Sequence, residues 1–157
     1  MDIQGVIRLK IRTDFVTNSS SSSFIVGFDS EEHIDSVLSQ SNCGEKFDTL
    51  SHDIKDGRIT HSEAMVGFIE ESWWDVVYDL SHDSEYEKLR YSEDFNDREK
   101  FDSHAYEELM ERAKEFKEKI DECEYIAEIS YSDHGDSDLE HEIVPNLPCT
   151  IIRYSHH

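Results

Sequence analysis

The sequence predicts an α+β fold: a mainly antiparallel sheet of about four strands, with two long helices and one short one packed on it. Apolar residues alternate with polar ones near both ends of the chain, the period of a half-buried strand. Between them, two long segments carry apolar residues three and four apart, the period of an amphipathic helix. No repeat and no shift in composition divides the 157 residues, so residues 1–157 are expected to form a single domain.

Ile7, Leu9 and Ile11 alternate with Arg8, Lys10 and Arg12 and predict a first strand. The run Phe24-Ile25-Val26-Gly27-Phe28 predicts a second, central one. The five serines before it, Ser19 to Ser23, read as a polar connection, with an anion cradle or a modification site as the functional alternative. Asp29 and Glu32 have capping-box spacing ahead of a short helix carrying Ile34, Val37 and Leu38. Residues 45–60 read as irregular, with a turn at Asp56-Gly57. His52 to Glu63 matches a calcium loop only in part, since its first and third positions lack carboxylates.

Thr60 and Glu63 make a second capping box. It opens a helix whose apolar stripe is Met65, Phe68, Ile69, Trp73, Val76, Val77 and Leu80. Residues 81–102 lack a clear period and read as a loop carrying a short helix. A long helix follows over residues 103–124, with Tyr106, Leu109, Ala113, Phe116, Ile120 and Cys123 as its buried stripe. Residues 125–131 alternate as a strand, Asp133 to Asp138 form a loop, and a last strand lies near residues 150–154.

Thirty-seven acidic residues face fifteen basic ones, a net charge of −22. Such a charge repels a phosphate backbone and draws a basic partner, so direct nucleic-acid binding is not expected. Residues 1–28 are net +1, which leaves −23 on the rest. No stretch approaches the ~20 apolar residues of a membrane span, and Met1-Asp2 does not begin a signal peptide; no membrane association and a cytoplasmic location are expected. Cys43, Cys123 and Cys149 are odd in number and widely spaced, which points to reduced thiols rather than a disulfide or zinc framework.

The residue 103–124 helix interleaves its acids with Arg112, Lys114, Lys117 and Lys119 and neutralises much of its own charge. The earlier helix does not. Trp74 and Tyr78 fall opposite its apolar stripe, beside Glu71, Asp75 and Asp79, and no basic residue lies between Arg58 and Lys88. Aromatic anchors bordered by carboxylates suit a basic protein partner, so these five residues are the candidate partner-binding set.

The C-terminal quarter offers an alternative. Asp133, His134, Asp136, Asp138, Glu140, His141 and Glu142 cluster in sequence, and the chain ends His156-His157. Imidazoles with carboxylates suit a divalent transition metal. Asp133, His134, His141, His156 and His157 are the candidate ligands, with a strand near residues 139–143 pairing with residues 150–157 to bring His141 towards the terminal pair.

Arg12-Thr13-Asp14-Phe15-Val16-Thr17-Asn18, the serine run and Phe24-Ile25 resemble the amino-terminal signature of small uncharacterised proteins of Firmicutes and their phages. The ending, from Leu139-Glu140-His141-Glu142 to Ile152-Arg153-Tyr154-Ser155-His156-His157, is similar to endings in that group. The resemblance implies native terminal histidines and, by analogy, a phage or mobile-element inhibitor at work in a bacterial host cytoplasm. It implies no activity. The function expected from sequence is therefore a small acidic, non-enzymatic interaction protein that mimics nucleic acid towards a basic, nucleic-acid-binding partner. A metal-binding or metal-dependent enzyme is the alternative.

Overall fold

The computed structural model describes residues 21–156, with the side chain of His156 outside that description. The strand expected at Ile7, Leu9 and Ile11 lies outside the described residues. The fold is α+β with one antiparallel sheet. Its strands are β1 (Ser21–Phe28), β2 (Arg58–Ile59), β3 (Tyr125–Ser132) and β4 (Thr150–His156), in the order β2-β3-β1-β4. The helices are α1 (Ile34–Ser39), α2 (Phe47–Asp56), α3 (His61–Ser81), α4 (Ser84–Arg90) and α5 (Phe95–Asp121). Among the described residues, no helix is long and apolar enough to cross a membrane. The chain divides into two compact units: residues up to Ala64 together with those from Glu118, and the helical stretch Met65–Lys117.

The first unit is organised by β1. Phe24, Val26 and Phe28 point to one face and stand opposite Ile129, Ala127 and Tyr125 of β3. Ile34 and Leu38 of α1, Leu50 and Ile54 of α2, and Leu139, Val144 and Leu147 close over that face. Each such side chain contributes about 1.5–3 kcal/mol by leaving water.

The serines depart from the expected connection. Ser21, Ser22 and Ser23 belong to β1 and are buried. Ser23 Oγ lies 2.8 Å from Ser130 Oγ across the ladder, and Ser22 Oγ accepts from Arg153 Nε and Nη2 at 3.1 and 3.0 Å. Burial and these partners withdraw Ser22 and Ser23 from anion cradling and modification, and Ser21 is buried beside them; Ser19 and Ser20 lie outside the described residues.

Residues 45–60 are not irregular. Phe47, Leu50 and Ile54 are spaced three and four apart and form the inner face of α2, a short stripe hidden among polar neighbours. Tyr125 Oη donates to Ile54 O at 2.9 Å, Tyr131 Oη donates to Asp53 Oδ2 at 2.8 Å, and β2 then pairs with β3. The first expected capping box does not form: Ser30 is the N-cap of a 3₁₀ turn, Glu31–His33, that leads into α1. The second does. Glu63 N–H donates to Thr60 Oγ1 at 3.0 Å and Thr60 N–H to Glu63 Oε1 at 3.2 Å. His61 Nε2 reaches the carbonyls of Ile120 and Cys123 at 2.9 and 2.8 Å, so that nitrogen carries the proton.

In the helical unit Phe68 and Phe116 stack with centroids 4.6 Å apart. Asp83 caps α4, and Asp94 caps α5 by accepting from Asn96 N–H at 2.9 Å. The last long helix therefore begins eight residues before the expected Ser103. Its buried stripe continues upward through Leu109, Ala105 and Phe101, while Tyr106 faces solvent.

Candidate functional site

Two groupings are described separately, one in each unit. In the helical unit, Trp74 is 68% exposed and Tyr78, one turn on, 64%. Their neighbours Val76 and Val77 are buried, so the helix separates its faces as 3.6-residue periodicity requires. Tyr78 packs on His82, with ring centroids 4.3 Å apart. Asp75 is exposed and has no hydrogen-bond or ion-pair partner among the described residues. Glu71 is half-buried and engaged in an interaction within the structure.

The expected row of unpaired carboxylates needs correction at Asp79. Arg112 Nη2 lies 2.8 Å from Asp79 Oδ2, a pairing between α3 and α5 that linear spacing could not disclose. A second correction concerns charge on the other flank of Trp74. A cavity of about 490 Å³ is lined by Trp73, Trp74, Val77 and Phe95 together with Arg90 and Arg98. Arg90 donates to Ser81 Oγ at 2.6 Å and Arg98 to Ser92 O at 3.0 Å, so both guanidiniums rest on neutral oxygens. Glu99 and Asp102 also line the cavity, so the surroundings of Trp74 are acidic on the side of Asp75 and of mixed charge on the side of the cavity. Phe95 and Tyr91, in the stretch of residues 81–102 that lacks a clear period, are 63% and 68% exposed and add to the aromatic surface.

In the sheet unit, the chain leaves β3 at Asp133, turns, and enters a π-helical turn, Leu139–Ile143. No strand forms at residues 139–143. The expected pairing of that segment with residues 150–157 is replaced by pairing of β4 with β1. The turn nevertheless brings Asp133, Glu140 and His141 together, with one ligand-type atom from each within 4.8 Å of the others. His141 Nε2 lies 2.5 Å from Asp133 Oδ1 and 2.9 Å from Glu140 Oε1. Its Nδ1 lies 3.5 Å from Arg153 Nη2.

Glu140 is the member that the candidate ligand set omitted. Its side chain is fully buried, and neither carboxylate oxygen makes a well-aligned hydrogen bond among the described residues, His141 Nε2 at 2.9 Å being the near contact of Oε1. Burial, with Asp133 close by, raises its carboxyl above the ordinary carboxylate range, while the His141 imidazole pulls it the other way. The sequence signal that would have selected it is Leu139-Glu140, an acid sharing its turn with a core residue. His134 is exposed and stands outside the group. The His156 side chain and His157 lie outside the described residues, as does any contact they make.

None of the predicted residues lines the larger cavity of the sheet unit, about 800 Å³ at the end of β1 beside His33, Cys123 and Glu142. The thiol there is not activated: burial, then the charges of Asp29 and Glu122, raise Cys123 above an ordinary thiol. Comparison of the chain with protein-family models, with curated proteins and with solved structures gives no match.

Proposed function

We propose that the chain is an interaction protein whose binding face lies on α3 around Trp74. The observation that carries this reading is the paired exposure of Trp74 and Tyr78, at 68% and 64%, one helical turn apart. Two aromatic side chains left in water offer anchor area that a folded monomer gains nothing by displaying. Unpaired Asp75 beside them supplies the charge that selects a basic partner, and the 53-residue helical unit, with sixteen acids against seven bases, steers it. The partner is a basic protein, and nucleic-acid mimicry towards it rests on that charge and on the analogy with phage inhibitors.

The experiment is capture on immobilised protein from a lysate of the source organism, at low and at high salt, with wild type and Trp74→Ala side by side. The reading requires a basic protein held by wild type, weakened by salt and lost with Trp74→Ala. Retention of the same protein by both forms would remove Trp74 from the interface. Binding indifferent to salt would remove the electrostatic part.

A further inference from the structure

We propose that Asp133, Glu140 and His141 form a binding site for a divalent transition-metal ion, one of the zinc or manganese type. This inference is independent of the α3 face. It starts from Glu140. A fully buried carboxylate whose two oxygens make no well-aligned hydrogen bond among the described residues is a costly arrangement, several kcal/mol where nothing compensates. The groups nearest it are an imidazole nitrogen at 2.9 Å and a second carboxylate, Asp133, and two carboxylates side by side repel.

One cation answers all of this at once. It neutralises both carboxylates and accepts the lone pair of His141 Nε2. The three donor atoms lie within 4.8 Å of one another. Donors bound at ~2.0–2.2 Å from one ion stand no more than about 4.4 Å apart, so small side-chain adjustments suffice. One nitrogen and two carboxylate oxygens suit zinc or manganese better than calcium, which takes oxygen ligands alone.

The surrounding structure supports such a site. Asp133 and His141 are each 42% exposed while Glu140 is 0%, so the group has a buried floor and an open rim through which an ion and its remaining waters enter. Glu140 and His141 sit on a π-helical turn, a rare wide turn frequent at functional sites. Arg153 stands behind the imidazole but is held by Ser22 through Nε and Nη2 and lies over the Phe24 ring at 5.6 Å. Coordination through Nε2 leaves the ring proton on Nδ1, so the 3.5 Å approach of Arg153 Nη2 opens when the ion binds.

The test is competition of untagged full-length protein with a chromophoric chelator for Zn²⁺, repeated with Mn²⁺, and thermal unfolding with and without each ion. Wild type should take up one equivalent and melt at a higher temperature when loaded. Glu140→Gln keeps the shape and removes the buried charge, so it should fold at least as well as wild type without metal. It should bind at least tenfold more weakly and lose the thermal shift, and Asp133→Asn, at an exposed position, should weaken binding in the same direction. A His156→Ala/His157→Ala double variant should bind like wild type. The proposal is overturned if wild type takes up neither ion, if Glu140→Gln binds as tightly as wild type, or if the terminal double variant alone abolishes uptake.

Discussion

Arg112 Nη2 and Asp79 Oδ2 meet at 2.8 Å, and Arg112 Nε also reaches Glu108 Oε1 at 3.2 Å. One guanidinium thus ties α3 to a carboxylate of its own helix, and the pairings raise Arg112 further above its already high range. This divides the acids around Trp74 by role. Asp79 serves the helix pair, whereas Asp75, one position after Trp74, is left to solvent. Asp79→Asn should cost about 0.2–1 kcal/mol of stability, as a partly exposed ion pair does, and change partner binding little. Asp75→Asn should leave stability within about 0.5 kcal/mol of wild type and weaken partner binding. Urea unfolding and a binding titration on both variants check the division, and equal effects of the two on binding would cancel it.

Gly57 sits where two stretches of backbone approach each other closely in the sheet unit. A Cβ there would stand 2.5 Å from Glu128 O and 2.9 Å from Asp53 O, both backbone atoms that cannot turn aside. The close approach lets Glu128 N–H donate to Gly57 O at 2.9 Å and starts β2 against β3. Gly57→Ala should therefore destabilise by about 1–3 kcal/mol, read as a lower urea midpoint with an unchanged slope. Gly67, where an added Cβ meets nothing within 4 Å, supplies the control: Gly67→Ala in the middle of α3 should be neutral or stabilising.

The sheet and the long helices were legible because their periods are long and their apolar residues bulky. Residues 24–28 form a continuous apolar run and residues 125–131 alternate over a full strand, and Thr60 with Glu63 marks the start of α3 by chemistry alone. Two kinds of element were not legible. Helix α2 and the first turns of α5 carry only one core residue per turn among acids and serines, so Leu50, Ile54 and Phe101 read as isolated. The site residues failed for another reason. The partner of Asp79 lies 33 positions away and the importance of Glu140 lies in its burial, and neither distance nor burial is written in local spacing.

Tyr125 and Tyr131 of β3 both brace the end of α2, but through different acceptors. Tyr125 Oη donates to Ile54 O at 2.9 Å, a last-turn carbonyl that otherwise accepts only a long 3.3 Å bond from the C-cap Gly57 N–H. Tyr131 Oη donates to the Asp53 carboxylate at 2.8 Å. Tyr131→Phe should cost about 1.5–3 kcal/mol, the range for a hydrogen bond to a charged group, and Tyr125→Phe about 0.5–1.5 kcal/mol. Hydrogen exchange should show the α2 amides opening more readily in both variants, with those of α4 unchanged.

Cys149 makes stability depend on alkaline pH. The side chain is 8% exposed, and burial pushes its thiol up to about 12. An unfolded chain ionises the same thiol near ~8.5, so above that pH the unfolded state holds fewer protons than the folded one. Its contribution is fully present below ~8.5 and is lost as pH rises towards about 12, by up to about 1.4 kcal/mol per pH unit. Cys43 and Cys123 are also raised by burial and add slope of the same sign, as does the buried Tyr131 hydroxyl at higher pH still. Cys149→Ala should be less stable than wild type at neutral pH, because it leaves a small void. Its stability should then fall less steeply between about pH 8.5 and 9, where most tyrosines still hold their protons. Urea titrations at a series of pH values read the two slopes, and parallel curves for wild type and variant would show that Cys149 ionises alike in both states.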